Sequence, residues 1–207
     1  MALGLAVLVN KKLRGINFFR TIYFLPVVTS IVVVSMLWLF MYQPDGLINA
    51  VLARFGIQGP DWLGNPNTAL FAIIVLSIWQ ACGMHMIIWL SGLQTIPGEL
   101  YEAAEVDGAS GWQKFKTVTV TYLRPAMLPY AIYGFVITFN LFYLSYFMSA
   151  GQPFGRTELL VTQAFRLVNE QHLYGVGAAF AICMFFILLA ITLVTNRLAK
   201  ATASYAD

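Results

Sequence analysis

Two groups of side chains in this 207-residue sequence could do chemistry. The first is polar residues inside apolar runs. His85 follows Trp79-Gln80-Ala81-Cys82-Gly83-Met84, and Asn140 sits in Thr138-Phe139-Asn140-Leu141-Phe142-Tyr143. An imidazole, an amide and hydroxyls in such surroundings hydrogen-bond either a passing polar molecule or a neighbouring helix. The second is a run of carboxylates interleaved with small residues, Glu99-Leu100-Tyr101-Glu102-Ala103-Ala104-Glu105-Val106-Asp107-Gly108. A small-residue surface flanked by carboxylates suits close docking with a partner. No Ser/His/Asp set or clustered ligand set is present, and His85 and His172 have no paired metal-ligand spacing. The chain has no G-x-x-x-x-G-K-[ST] phosphate loop, so it is not expected to hydrolyse ATP alone.

The elements that carry these residues are membrane spans. Hydrophobic residues make up 59% of the chain against roughly 45–50% in soluble proteins, and charged residues 10% against about 25%. A soluble fold could not cover its surface with so few charges, which argues against a cytosolic enzyme, a disordered chain and a secreted disulfide scaffold. The net charge of +3 is too small, and the basic residues too dispersed, for a nucleic-acid partner. Cys82 and Cys183 lie within apolar runs and read as small buried hydrophobes.

Charge-free intervals at 21–44, 62–98, 125–155 and 171–196 each exceed the roughly 20 residues that an α-helix needs to cross a bilayer. They predict an all-α polytopic bundle with four complete spans near 22–42, 69–91, 126–147 and 174–195, with Pro26 in the first turn of the first span. Runs such as IVVVSMLWLF are apolar on every face, unlike barrel strands. Residues 1–9 are apolar and too short to span. Their positive cluster follows rather than precedes them, so they read as a partial span, the tail of a crossing in a chain lacking its true N-terminus; the alternative is a short peptide lying on the membrane. Loops 10–20 and 92–125 and the C-terminal tail together carry nine Lys and Arg, against three (Arg54, Arg156, Arg166) on the opposite side. Positive charge favours the cytoplasm, which places those loops and the C-terminus there.

Loop 92–125 is too long for a tight connection between helices. Pro97-Gly98 breaks the chain, and Glu99 and Glu102 form an acidic first turn that complements the helix dipole. Gly108 ends that helix and Ser110 caps a second, on which Trp112, Phe115, Thr119 and Tyr122 fall on one side; Pro125 then begins the next span. The alternative, an amphipathic helix lying on the bilayer, sets three carboxylates against an anionic leaflet.

Glu102-Ala103-Ala104-x3-Gly108 resembles the EAA motif of the permease subunits of binding-protein-dependent ABC importers. The fuller EAAEVDGASGWQKF and YLRPAMLP are similar to the carbohydrate-uptake branch typified by maltose and glycerol-phosphate permeases. That family has Ile-x-Leu-Pro nine residues after the glycine; here Val118-Thr119-Val120-Thr121 keeps the aliphatic positions and replaces the proline. The likeness covers about residues 10–198, including Leu93-Gln94-Thr95-Ile96-Pro97 and the turn Ala150-Gly151-Gln152-Pro153.

The resemblance implies a single transmembrane permease domain over 1–207, of the type I importer kind, truncated at its N-terminus because family members usually have six or more spans. It implies the cytoplasmic membrane of a prokaryote. Loop 92–125 would be a coupling helix docked on an ATPase subunit dimer that binds ATP and Mg, this chain binding no cofactor. Glu102 would pair with a basic residue there, with Asp107 in the same docking segment, while Ala103, Ala104 and Gly108 permit close packing. A second permease subunit, an extracytoplasmic solute-binding protein and membrane lipid complete the expected partners. The substrate would be a mono- or oligosaccharide, maltose-like among them. His85, Thr138, Asn140 and Tyr143, on the family's pocket-lining helices, offer the hydrogen bonds and aromatic faces that a sugar needs; interhelical bonding is their alternative use. Gly175, Gly177, Ala178, Ala179 and Ala181 would let the last span approach a neighbour closely or serve as a hinge. Outer loop 148–172, with Arg156, Glu158, Arg166 and Glu170, would contact the binding protein or be a solvated loop. Two other classes are possible for a polytopic chain. A secondary transporter would carry coupling carboxylates or basic residues in its spans, and none is there; a membrane-embedded enzyme would need a catalytic set.

Overall fold

The computed structural model describes residues 1–10, 15–139 and 141–203, and all regular secondary structure among them is helical. The chain divides into two compact units. One holds Met1–Phe24, Cys82–Phe135 and the described residues from Leu189 onward; the other holds Leu25–Ala81 and Val136–Leu188.

In the first unit, α1 (Ala2–Val9) buries Ala6 and Val9 in one cluster with Met86, Trp89, Leu90, Leu93, Ile96 and Leu123. Met86, Leu90 and Leu93 follow the i, i+4, i+7 spacing of one helix face, on the second half of α5 (Ala69–Gln94). In the second unit, α3 (Ile31–Met41) packs against α9 (Phe142–Ser149) around Val34, Tyr42, Ala72, Ile73, Leu76, Leu144 and Met148. The Tyr42 hydroxyl donates to the Ala72 carbonyl at 2.9 Å. Asn49, on α4 (Leu47–Arg54), donates to the Pro44 and Pro60 carbonyls and accepts from Trp62 Nε1 at 2.8 Å.

Among the described residues, three helical stretches are long and apolar enough to cross a membrane: Ala69–Gln94, Pro129–Ser149 and Tyr174–Arg197, the last on α11 (Tyr174–Ala203). The segment expected as one helix over 22–42 is instead α2 (Ile16–Val28) followed by α3, a pair that passes the same test only together and is bent by 99°. The helix starts at Ile16, so Pro26 lies near its end rather than in its first turn. There the missing N–H and the ring's clash with the preceding turn disrupt the ladder. Thr29 Oγ1 takes up the Leu25 carbonyl at 2.8 Å, and Ser30, at φ −54° and ψ 128°, leaves the helix.

The third expected span is likewise interrupted. α8 (Thr121–Phe139) ends before α9 begins, and Leu141, at φ −73° and ψ 69°, lies outside both helices. Pro125 and Pro129 sit inside α8, so Pro125 does not begin the span as the sequence suggested. The six residues before α8, Phe115–Val120, wind as wider i→i+5 turns. This wider segment ends five residues before Pro125, where a normal α ladder would crowd the proline ring. Thr121, standing where the family has proline, supplies a backbone N–H that bonds the Val118 carbonyl, and the helix runs on.

Of the small residues on the last span, Gly177 is the one in close approach. A Cβ there would strike the Val168 side chain on α10 (Leu160–Asn169). Gly175 faces open space, and Ala178, Ala179 and Ala181 are exposed. Cys82 is buried as expected; Cys183 is exposed instead, because α11 is apolar all round and its pattern selects no inner face.

Candidate functional site

The carboxylate-rich segment is a short helix, α6 (Gly98–Val106), whose end is fixed by backbone geometry. Gly108 adopts φ +75°, the left-handed conformation glycine tolerates. Its N–H bonds the Glu105 carbonyl at 3.0 Å, and that of Ala109 bonds Ala104 at 2.9 Å, the paired closure of a Schellman motif. Two residues later Ser110 caps α7 (Gly111–Lys114) in a capping box: its N–H donates to Gln113 Oε1 at 2.7 Å, and Gln113 N donates to Ser110 Oγ at 3.4 Å. Both helix boundaries expected from local residue chemistry are therefore present.

Two side-chain contacts tie α6 to the segment that follows it. The Tyr101 hydroxyl meets Thr119 Oγ1 at 2.8 Å, and Thr119 is only 4% exposed. Lys114 Nζ pairs with Glu105 at 3.0 Å. The expectation that Trp112, Phe115, Thr119 and Tyr122 share one side is corrected: Thr119 turns into the core, while Trp112 and Tyr122 stay exposed. The i→i+5 turns advance by fewer degrees per residue than α turns and shift the phase between these positions.

On the outer side of this segment Glu102, Ala103, Asp107 and Gly108 are exposed, and Ala104 is half-buried. Beside them stand two large apolar residues that sequence patterning did not single out, Val106 at 88% and Trp112 at 72% exposed, the latter stacked on Phe115. Glu102 and Asp107 form no ion pair among the described residues. The segment thus presents small residues, two free carboxylates and apolar side chains on a backbone with fixed ends.

The connection between α9 and α11 is organised differently. Ser145 Oγ donates to the Thr157 carbonyl at 2.5 Å, Ser149 and Thr157 share a 2.6 Å hydroxyl contact, and Thr157 Oγ1 donates to the Gln152 carbonyl at 2.9 Å. Arg166 pairs with Glu158 at 2.7 Å and Glu170 at 3.4 Å, and donates to the Ala150 carbonyl at 2.5 Å. Of the four charged residues expected on this loop, three are consumed in one network and Arg156 is exposed. Phe154 stands 87% exposed at φ +51°.

The polar residues within the spans fall in different units. In the first, His85 is half-buried with its ring edge-on to Tyr130 at 5.4 Å and tilted to Tyr133 at 6.4 Å; Tyr130 in turn lies 4.3 Å from Trp89. Tyr130 and Tyr133 were not singled out from the sequence, although their spacing of three puts them on neighbouring turns of one face. In the second unit, Thr138 and Tyr143 are both exposed and stand on either side of the interruption between α8 and α9. Tyr143 lies edge-on to Phe142 at 5.4 Å and stacks on Phe147 at 6.3 Å. Asn140 lies outside the described residues.

Comparison with known proteins accounts for this combination of apolar helices and a capped acidic segment. Residues 1–204 match the family model described as binding-protein-dependent transport system inner membrane component. The chain is 33% identical over 201 residues to the trehalose/maltose transport system permease protein MalF of Thermococcus litoralis, covering 97% of this chain and 68% of that protein. It is 34% identical to the xylose/arabinose import permease protein XacH of Haloferax volcanii, covering 92% of this chain and 61% of that one. The chain therefore spans about two thirds of the length of these curated relatives. In fold it is similar to a chain of a bacterial ABC transporter that imports the acidic polysaccharide alginate, with a TM-score of 0.83 at 24% identity over 97% of this chain and 71% of that one. The same likeness holds for that transporter in complex with its alginate pentasaccharide-bound periplasmic protein. On the family match and the relatives at and above 30% identity, this chain belongs to the binding-protein-dependent inner membrane components, the permease subunits of ABC importers.

Proposed function

We propose that residues 1–207 act as one transmembrane permease domain which, with a second permease subunit, forms the path of a mono- or oligosaccharide across the cytoplasmic membrane. An extracytoplasmic binding protein delivers the sugar. ATP hydrolysis on a separate ATPase dimer, which holds ATP and Mg, drives the movement. The naming of relatives for trehalose, maltose, xylose and arabinose supports the sugar class. Segment 92–125 and the C-terminus face the cytoplasm, in keeping with the nine-to-three distribution of basic residues.

The observation that carries this reading is the outward surface of α6 and α7. Glu102 and Asp107 offer carboxylates to basic groups of the ATPase subunit, and Ala103, Ala104 and Gly108 allow the backbones to approach. Val106 and Trp112, exposed in the isolated chain, are apolar anchors of the kind that dominate interfaces. Fixed ends turn such a dock into a mechanical link. His85, Thr138, Asn140 and Tyr143 contact the sugar on its way.

The deciding experiment is ATP hydrolysis by the reconstituted full-length complex across a panel of mono- and oligosaccharides, each loaded on the binding protein. Stimulation by a narrow set of sugars is expected, with Asn140→Ala changing the set. Hydrolysis indifferent to every sugar would remove the substrate class, and an unchanged profile in Asn140→Ala would remove that residue from the path.

A further inference from the structure

Gln80, which sequence patterning did not single out, is an amide in the middle of the span Ala69–Gln94. It stands eleven residues from the start of α5 and fourteen from its end, about 17 Å and about 21 Å along the axis. At that depth in a hydrocarbon core about 30 Å thick, neither surface water nor a lipid headgroup reaches it. The polar residues near it on α5 are occupied. Ser77 returns its hydroxyl to the Ile73 carbonyl at 2.7 Å, and His85 lies against Tyr130 and Tyr133. Gln80 has no hydrogen-bond partner among the described residues.

Its direction decides what kind of partner is missing. Ile73, Leu76, Gln80 and Gly83 follow the i, i+3, i+7, i+10 spacing of one helix face, and Ile73, Leu76 and Gly83 are buried. Gln80 therefore points inward with them rather than towards lipid. Yet it is half-buried, and its amide atoms are not sealed in: Arg20 Nε is the one enclosed side-chain polar atom without a partner among the described residues. An inward amide that stays open borders a passage rather than a packed core. Polar groups at this depth are costly, and they mark the route of a polar solute. We propose that Gln80 is a specificity-determining contact of the sugar path, its amide exchanging hydrogen bonds with a hydroxyl of the transported sugar. The spans carry no Lys, Arg, Asp or Glu, so the contact is one between neutral groups. An amide both donates and accepts, which suits a hydroxyl in either orientation. This assignment deepens the sugar path proposed above and rests on it.

The test uses the full-length complex in proteoliposomes. Maltose, trehalose, xylose and arabinose, and the monodeoxy analogues of each, are supplied on an excess of the binding protein. For a sugar that is carried, one monodeoxy analogue is expected to enter about three- to tenfold more slowly than its parent, the worth of one neutral hydrogen bond. Gln80→Met keeps the length of the side chain and removes the amide. It should carry that analogue and its parent at equal rates, while the complex assembles and melts as the unaltered one does. Discrimination kept by Gln80→Met overturns the proposal by freeing the amide from the sugar. Loss of assembly in that variant overturns it by assigning the amide to bonding between helices. Access is read with Gln80→Cys in a complex otherwise free of cysteine. A charged thiol reagent should label that position, and the carried sugar should slow the labelling. A position that the reagent never reaches is packed against protein or lipid, and the proposal falls. Uptake of none of these sugars removes the sugar path and this contact with it, whereas uptake with unchanged discrimination in Gln80→Met removes Gln80 alone.

Discussion

Two long polar connections of this chain spend their charges in opposite ways. Between α9 and α11, Arg166 is satisfied by Glu158, Glu170 and a backbone carbonyl, and Thr157, 1% exposed, ties down the turn through both its hydroxyl and its carbonyl. Between α5 and α8, the ends of the short helices are closed largely by backbone and capping bonds, leaving Glu102 and Asp107 free at the surface. The first connection holds itself together with side chains. The second fixes its helix ends with a glycine and a serine, and keeps Glu102 and Asp107 for something else. A polar loop can be ordered and still have its polarity available, provided the order comes from the main chain.

That contrast can be broken at its strongest point by Gly108→Trp. A non-glycine residue at φ +75° costs roughly 1–2 kcal/mol, and the indole also covers the docking surface. Sugar uptake is expected to fall by about tenfold or more, the loss of at least 1.4 kcal/mol of contact, while membrane insertion is retained. Normal uptake in this variant would end the docking role. Arg166→Met should do the opposite. It leaves the partly buried Glu158 and the Ala150 carbonyl without their donor, at about 1–3 kcal/mol. The α9–α11 connection should become protease-sensitive while the ATPase subunit still copurifies; resistance equal to the unaltered protein would show that the network adds no order. A finer cut compares Tyr101→Phe with Glu105→Gln. The first strands the buried Thr119 hydroxyl and should cost about 1 kcal/mol in thermal stability. The second removes an exposed ion pair worth less than about 1 kcal/mol. If Glu105→Gln proves the more damaging, α6 is held by charge rather than by the buried hydroxyl pair.

What could be read from the residues alone followed the range of the interactions. Gly108 and Ser110 announce their helix ends because capping is decided within three or four residues. The all-helical membrane class follows from composition, and the start of the last helix at Tyr174 from the charge-free interval. The break after Pro26 is hidden because the charge of Arg20 lies inside the helix and not at its start: the helix begins at Ile16 and places the proline near its other end. Arg166 and Glu158 are eight residues apart and meet only because α10 folds back, which no local pattern records. The aromatic surroundings of His85 needed α5 and α8 side by side. Cys183 sits on a helix whose every face is apolar, so periodicity carried no information about its side.

The widened turns at Phe115–Val120 lie between the capped helices and the membrane crossing beyond them. They act as a phase setter. Removing or adding a single residue there would swing everything on the capped side by about 100° around the axis, with every side chain on both sides left as it was. At this place the chain is more sensitive to how many residues it has than to which ones they are.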